Sequence, residues 1–458
     1  MPDPTLTMAE VATHDGRDGS LWLEIEGEVY DATAFAARHP GGELIRLAAG
    51  RHGTTLFEAY HPGPALDRAR RVLGKQVPRV GTLAEADREP YGDPAFFDDV
   101  RTRVDATLRA RGLGYHAGGR ALAVEAVVLI AVLVATWLWR LHTGSYLPAV
   151  IAGIAVARLG FAMHSGNHAA VGRRGAGTRA LGTIMDFVGG SSLVWRAAHQ
   201  VAHHGKPNAA GHDNDAEIGT PLLRFHPALP RRPWHRVQVL TLAVGMSIGL
   251  VKWLISDLGY LWRGRVVHAP MHVSRAAWLE VLAWKALYLT MHVVVPVVVL
   301  GPVRGLLGTL LMLAVGAYYM ETVFLVNHLQ PGLVPRPDEH WAVQQVRGTA
   351  NWASRSRVAN WLSGGLNHQI EHHLFPSMSI YLYPVIAPVV EATCVEHGLP
   401  YRSYRGFGAA LRSCVAHLHD LGRPTAAAAE APAPQAADAD AADHATPRCS
   451  PRAAPALR

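Results

Sequence analysis

Residues 199–204 read His-Gln-Val-Ala-His-His, and two related runs flank them: His-Ser-Gly-Asn-His at 164–168 and Gln-Ile-Glu-His-His at 369–373. On a helix, imidazoles four residues apart share one face and can reach one metal ion. The doubled rings at His203-His204 and His372-His373 add one that points to a neighbouring position, so each of those helices can serve two metals. The candidate ligands are His164, His168, His199, His203, His204, His372 and His373. That is more nitrogen than one tetrahedral zinc takes. It suits a pair of iron ions with positions left open for oxygen. The bland alternative is a set of titrating loop histidines, and the recurrence of the spacing argues against it.

Around these runs the chain is apolar. Of its 458 residues, 49% are hydrophobic and 17% charged, against ~25% charged in an average soluble protein. A membrane protein with polar outworks follows, long enough for two domains. The stretches 121–141, 143–163, 280–300 and 304–327 each approach the ~20 residues that cross a bilayer. Glu125, Arg158, Lys285 and Glu321 sit inside or beside them. The first three lie near a boundary, where long side chains are expected to snorkel to water.

A fifth apolar stretch, 236–262, contains Lys252 and Asp257. The His runs share one site only if an even number of crossings separates them. Segments 280–300 and 304–327 already supply that number, so 236–262 is expected to lie in the interface. Arg109, Arg111, Arg120, Arg173, Arg174, Arg179, Arg263, Arg265, Arg355 and Arg357 fall on the side of the His runs, whereas the short turns carry only Arg140 and Arg304. The positive-inside rule then places both termini and the His runs in the cytoplasm.

The net charge of +7 suits anionic lipid headgroups. Nucleic acid is not expected, because the arginines form no stripe with interleaved aromatics. Cys394, Cys414 and Cys449 are too scattered for a disulfide framework or a thiolate metal site, which fits a reducing setting. The polar start, MPDPTLTMAEVATHDGRDG, lacks the apolar core of a secretory signal.

Ahead of the apolar region, LWLEIEGEVYDATAF alternates apolar and polar residues around Glu26-Gly27, as a β-hairpin does. His39-Pro40-Gly41-Gly42 and then His61 follow, with short helical stretches between them. Two neutral imidazoles can fill both axial positions of a haem, leaving no site for oxygen, so such a centre only passes electrons. Pro40 ends a helix, and Gly41-Gly42 let the backbone turn close to the porphyrin. His52 is out of register with this pair.

Residues 20–75 resemble the cytochrome b5 family in the form fused to desaturases, through Trp22, Val29, Asp31, Phe35, the His-Pro-Gly-Gly run and the segment Phe57 to His61. The resemblance implies haem b with His39 and His61 as axial ligands. His52 departs from it, standing where the family usually has an acidic residue. Residues 90–415 resemble the integral-membrane fatty acid desaturases, on the three His runs with Trp195, Asn208, Asp213 and the GGLNHQIEHHLFP segment around the third. Gln369 at the head of the third run resembles the front-end group. Family analogy adds His328, at the end of the fourth apolar stretch, as a further candidate ligand, with Glu321 on the same helical face as a supporting or packed residue. Gln369 either binds metal or orients a ligand. His212, His226 and His368 are expected to be exposed or hydrogen-bonding.

The expected architecture is an α+β cytochrome b5-like haem domain followed by a mainly α-helical, four-span membrane desaturase domain with a cytoplasmic His-rich cap. Its parts are residues 1–80, haem domain; 81–119, linker and an amphipathic pre-membrane helix; 120–415, desaturase domain; and 424–458, a low-complexity Ala/Pro-rich tail. Two non-haem irons and O2 would desaturate a fatty acyl chain, lipid- or CoA-linked, between an existing double bond and the carboxyl end. Electrons would come through the haem from an NAD(P)H-dependent reductase. The membrane would be the plasma membrane in a bacterium or the endoplasmic reticulum in a eukaryote. The alternatives are a sphingolipid long-chain-base desaturase, a lipid hydroxylase, or a membrane-anchored haem carrier with structural zinc.

Overall fold

The computed structural model describes residues 4–172, 176–266, 269–271 and 273–424. Arg173, Arg174, Cys449 and the tail from residue 425 lie outside the described residues.

The N-terminal part is built on a four-stranded sheet. Its strands are β1 (Thr5–Leu6), β2 (Trp22–Ile25), β3 (Glu28–Asp31) and β4 (Arg79–Leu83), in spatial order β1-β4-β3-β2. The hairpin expected at Glu26-Gly27 is present. Both residues have positive φ, 55° and 82°, as the tightest hairpin turns require, and Ile25 pairs with Glu28. β4 crosses residue 80, where the haem domain was expected to give way to a linker. At Gly81 a Cβ would stand 2.5 Å from the Pro4 carbonyl oxygen, so the glycine serves a close approach. Leu21, Leu23 and Ile25 form one face of the core with Ala32, Ala48 and Leu73. A 3-10 helix Gly42–Ala48, helix α1 (Thr54–Tyr60) and helix Pro64–Gln76 complete this part.

Helix α2 (Ala95–Ala110) is amphipathic, as expected. It buries Phe96, Phe97, Val100, Val104 and Leu108, a helical stripe, against helix Tyr383–Glu396. Among the described residues, four helices are long and apolar enough to cross a membrane: α3 (Gly119–Thr143), α4 (Leu147–Asn167), α5 (Arg275–Leu300) and α6 (Pro302–His328). α4 is the buried one, packed between α3 and α6. Small residues let it in: a Cβ on Gly153 would meet the Met312 carbonyl of α6 at 2.6 Å. On α3, Val124, Val127, Val128 and Leu138 are left exposed, in the manner of a lipid-facing surface. The fifth stretch breaks into Pro233–Met246 and Gly249–Arg263, bent by 86°, and neither half alone reaches the ~20 residues of a span.

The charges in the spans differ from expectation. Arg158 does not snorkel; it is buried, pairs with Glu125 and donates to the Trp361 carbonyl. Lys285 is 4% exposed, and its Nζ donates to Asp257 Oδ2 at 2.7 Å and to the carbonyls of Gly189 and Trp253. For Lys285 the inward orientation is tolerable because its ammonium finds three acceptors. The Lys285–Asp257 pair ties α5 to the bent helix pair.

Removing one partner strands the other. Lys285→Met leaves Asp257 as a buried, uncompensated carboxylate, at an expected cost of ~3–5 kcal/mol. Adding Asp257→Leu should recover most of that loss. Thermal unfolding of the two purified variants in detergent checks this; equal losses would contradict the coupling.

Candidate metal centre and haem site

The rings of His39 and His61 face each other with centroids 6.1 Å apart. That distance matches two ring radii plus two metal–nitrogen bonds of ~2 Å. His39 follows the short helix Thr33–Ala36, and a Cβ on Gly41 would stand 2.6 Å from its ring. His61 closes α1, where its Nδ1 bonds the Phe57 carbonyl at 2.6 Å. Nδ1 therefore carries the proton, and Nε2 is left with a lone pair. Burial depresses the His61 pKa despite that bond, keeping the ring neutral. The donors suit a haem held on both faces. His52 is not part of this site: its Nδ1 lies 3.2 Å from Glu24 Oε2.

The three His runs converge. His164 occupies the last turn of α4, and His168 caps it. The second run is wound as a π-helix, Arg196–His203, in which His204 N donates to the His199 carbonyl at 2.9 Å. The third run forms helix Gln369–Leu374, and His328 ends α6. Ligand-capable nitrogens of His164, His168, His199, His204 and His372 all lie within 4.8 Å of one another, and those of His203, His328 and His373 form a second such group. The winding adds to the expected pairing. His199 joins His204, five residues on, because the π turn brings i and i+5 together; His203 joins His328 and His373 and also stays within reach of His199, beside Asp215.

Four of the eight outer nitrogens are bonded to a side chain. His203 Nδ1 lies 3.1 Å from both oxygens of Asp213, His372 Nδ1 3.1 Å from the Tyr383 hydroxyl and His373 Nδ1 2.7 Å from Gln345 Oε1. His168 Nδ1 meets the Tyr60 hydroxyl at 2.6 Å. The inner Nε2 atoms of His168, His372 and His373 are buried with no hydrogen-bond partner. Outer nitrogen fixed and inner nitrogen bare is how histidine is presented to a metal. Burial pushes the pKa values of His199, His204, His372 and His373 well down, holding neutral rings. Burial acts the same way on His203, but Asp213 and Asp215 outweigh it and raise that ring to about 9.

Gln369 is oriented by a relay. The Trp352 indole only donates, and it bonds Asn327 Oδ1 at 2.9 Å. Asn327 Nδ2 then donates to Gln369 Oε1, leaving Gln369 Nε2 2.9 Å from His328 Nε2. Trp195 stacks on His199, and Asn208 donates to the carbonyls of His328 and Gly348. Glu321 packs beside Gly249, outside both groups. His212 is exposed, His226 accepts from Ala228 N, and His368 is buried with Nδ1 3.7 Å from Glu371 Oε2. Sequence reasoning missed Tyr60, Gln345 and Tyr383. Gln345 and Tyr383 stand outside every His run, so no spacing marks them; Tyr60 has only its place beside His61.

The profile of the family described as fatty acid desaturase matches residues 141–405, and that of the cytochrome b5-like heme/steroid binding domain matches residues 7–84. The chain is similar to the acyl-lipid (8-3)-desaturase of Physcomitrium patens, with 32% identity covering 91% of each chain. It is 31% identical to the acyl-lipid (8-3)-desaturase of Mortierella alpina, over 91% of this chain and 97% of that one. With the Delta(5) fatty acid desaturase A of Dictyostelium discoideum it shares 27% identity, over 90% and 93% respectively.

Asp213 is the test of the second group. Asp213→Ala frees the His203 ring and should weaken metal retention ~10–100-fold. Metal titration of the purified protein measures it, and unchanged affinity would remove His203 from the ligand set.

Proposed function

The chain belongs to the fatty acid desaturase family, and on that premise we propose how its residues carry out front-end desaturation of an acyl lipid. It is an oxidoreductase that places a cis double bond between an existing one and the carboxyl end, with electrons entering through the fused cytochrome b5 domain. The observation that carries the detailed reading is the pair of adjoining buried imidazole groups.

In this reading His164, His168, His199, His204 and His372 hold one iron, and His203, His328 and His373 hold the second. Irons so held supply oxygen activation strong enough to remove hydrogen from an unactivated methylene pair, which no side chain can do. Asp213, Gln345 and Tyr383 hold the outer ring nitrogens, keeping each inner nitrogen directed inward. The Trp352–Asn327 relay turns the Gln369 oxygen away and leaves its Nε2 2.9 Å from His328 Nε2, so Gln369 would hold the His328 ring in place and would have to give up that nitrogen when His328 takes a metal. Phe324 lies between His164 and Phe161, with ring centroids 6.0 and 6.2 Å away. These rings form an apolar wall for an acyl chain and help exclude water.

His39 and His61 hold the haem. The overall change is acyl chain plus O2, two electrons and two protons to an unsaturated chain and two waters. A haem held by His39 and His61 would pass one electron at a time, so an NAD(P)H-dependent reductase would supply two per turnover. Fusion raises the local concentration of the donor. The arginine distribution supports a cytoplasmic position for both centres.

Metal analysis of purified protein should find about two irons beyond the haem iron; zinc without non-haem iron would overturn the assignment. Expression in a host of known lipid composition, with double bonds mapped in its lipids, should reveal new unsaturation on the carboxyl side of an existing bond in acyl lipids. New bonds in sphingoid bases alone would sink the acyl-lipid reading. His39→Ala should abolish product while leaving non-haem iron bound.

A further inference from the structure

Tyr60 immediately precedes His61 on α1, yet its side chain ends in the other metal site. Its hydroxyl lies 2.6 Å from His168 Nδ1, and the two rings stack with centroids 5.9 Å apart and planes 19° apart. The partners that bond the outer nitrogens of His203, His373 and His372, namely Asp213, Gln345 and Tyr383, come from the desaturase part of the chain. The His168 partner comes from the haem domain.

The contact is held from both sides. Behind it, Glu58 on α1 is wholly buried and accepts from Arg70 and Tyr91 at 2.7 Å and from the Trp341 indole at 2.5 Å. Burial alone would raise the Glu58 pKa, but bonds from His340, Tyr91 and Trp341 outweigh it, so the carboxylate stays charged. Ahead of it, Arg101 of α2 donates to the Gly63 carbonyl at 3.0 Å. α1 is thus clamped to helix Trp341–Gly348 on one side and to α2 on the other. A second bonded route between the sites exists, from Glu58 to Trp341 and along that helix to Gln345 and His373. It spans a further helical turn. The Tyr60 route needs one peptide unit, one side chain and one hydrogen bond.

We propose that Tyr60 is a positioning residue lent by the haem domain to the metal centre, and that its bond to His168 is the electron path from His61. The proposal rests on the haem and iron assignments above. For each electron moved, the haem is oxidised by one and the iron site reduced by one. Tyr60 forms and breaks no covalent bond, keeps its proton and ends unchanged.

The test uses full-length holoprotein and Tyr60→Phe, which keeps the ring and removes only the hydroxyl. Flash photoreduction of the haem, without oxygen or substrate, is followed by decay of the reduced-haem absorbance. Tyr60→Phe should decay several-fold more slowly, because the hydroxyl that bonds His168 is lost. Haem content, haem midpoint potential, non-haem iron in iron-saturated protein and hydrogen-exchange protection of residues 341–348 should match the wild type. An unaltered decay rate overturns the proposal. So does slowing that comes with lost iron or lost protection, since disassembly or undocking would then account for it. If the wild-type haem itself shows no decay into the iron site, the electron route of the proposed function fails, and this inference with it. A normal wild-type decay matched by Tyr60→Phe sinks the Tyr60 path alone.

Discussion

Eight imidazole rings, seven of them buried and His328 half-buried, gather in two adjoining groups, and the rest of the fold answers that constraint. A buried polar atom with no partner costs ~1–3 kcal/mol, so such a cluster persists only where both ring nitrogens are provided for. The desaturase cap provides for the outer ones: Asp213, Gln345 and Tyr383 arrive from three separate segments, each already positioned by its own bonds. The inner ones converge on two points. Neutral rings are what a divalent metal binds, and at His203 a metal would have to displace the proton that Asp213 and Asp215 favour.

The spans serve the same end. α4 and α6 pack closely enough, through glycines such as Gly153, to bring His164 and His328 near one level. The charges within the bundle, Arg158 with Glu125 and Lys285 with Asp257, act as inward ties between elements. The haem domain is joined to this body by bonds that end on buried groups, Glu58 to Trp341 and Tyr60 to His168. Two redox sites made from separate folding patterns thereby share one helix, α1.

Much of this was legible beforehand, for identifiable reasons. The β2–β3 hairpin follows from alternation and a Glu-Gly turn, both local properties. The spans follow from length and hydropathy, which the bilayer imposes whatever the tertiary contacts. Snorkelling was the wrong expectation for Arg158 and Lys285, because a partner distant in sequence leaves no local trace. β4 runs past the boundary expected at residue 80, and the lack of a side chain at Gly81 serves the neighbouring Pro4 backbone.

The His spacing by itself determined that metal-binding helices exist and that doubled histidines serve two positions. Spacing is a property of one helix, and side-chain direction along a helix is periodic. Which rings belong together was decided only by tertiary structure. The π winding of Arg196–His203 brought His204 to His199, and folding brought His328 and His373 to His203. Tyr60 and Gln345 became neighbours of the site in the same way, through docking of segments far apart in the chain. Hydrogen bonds across such distances depend on where whole elements pack, and no local pattern of residues encodes that.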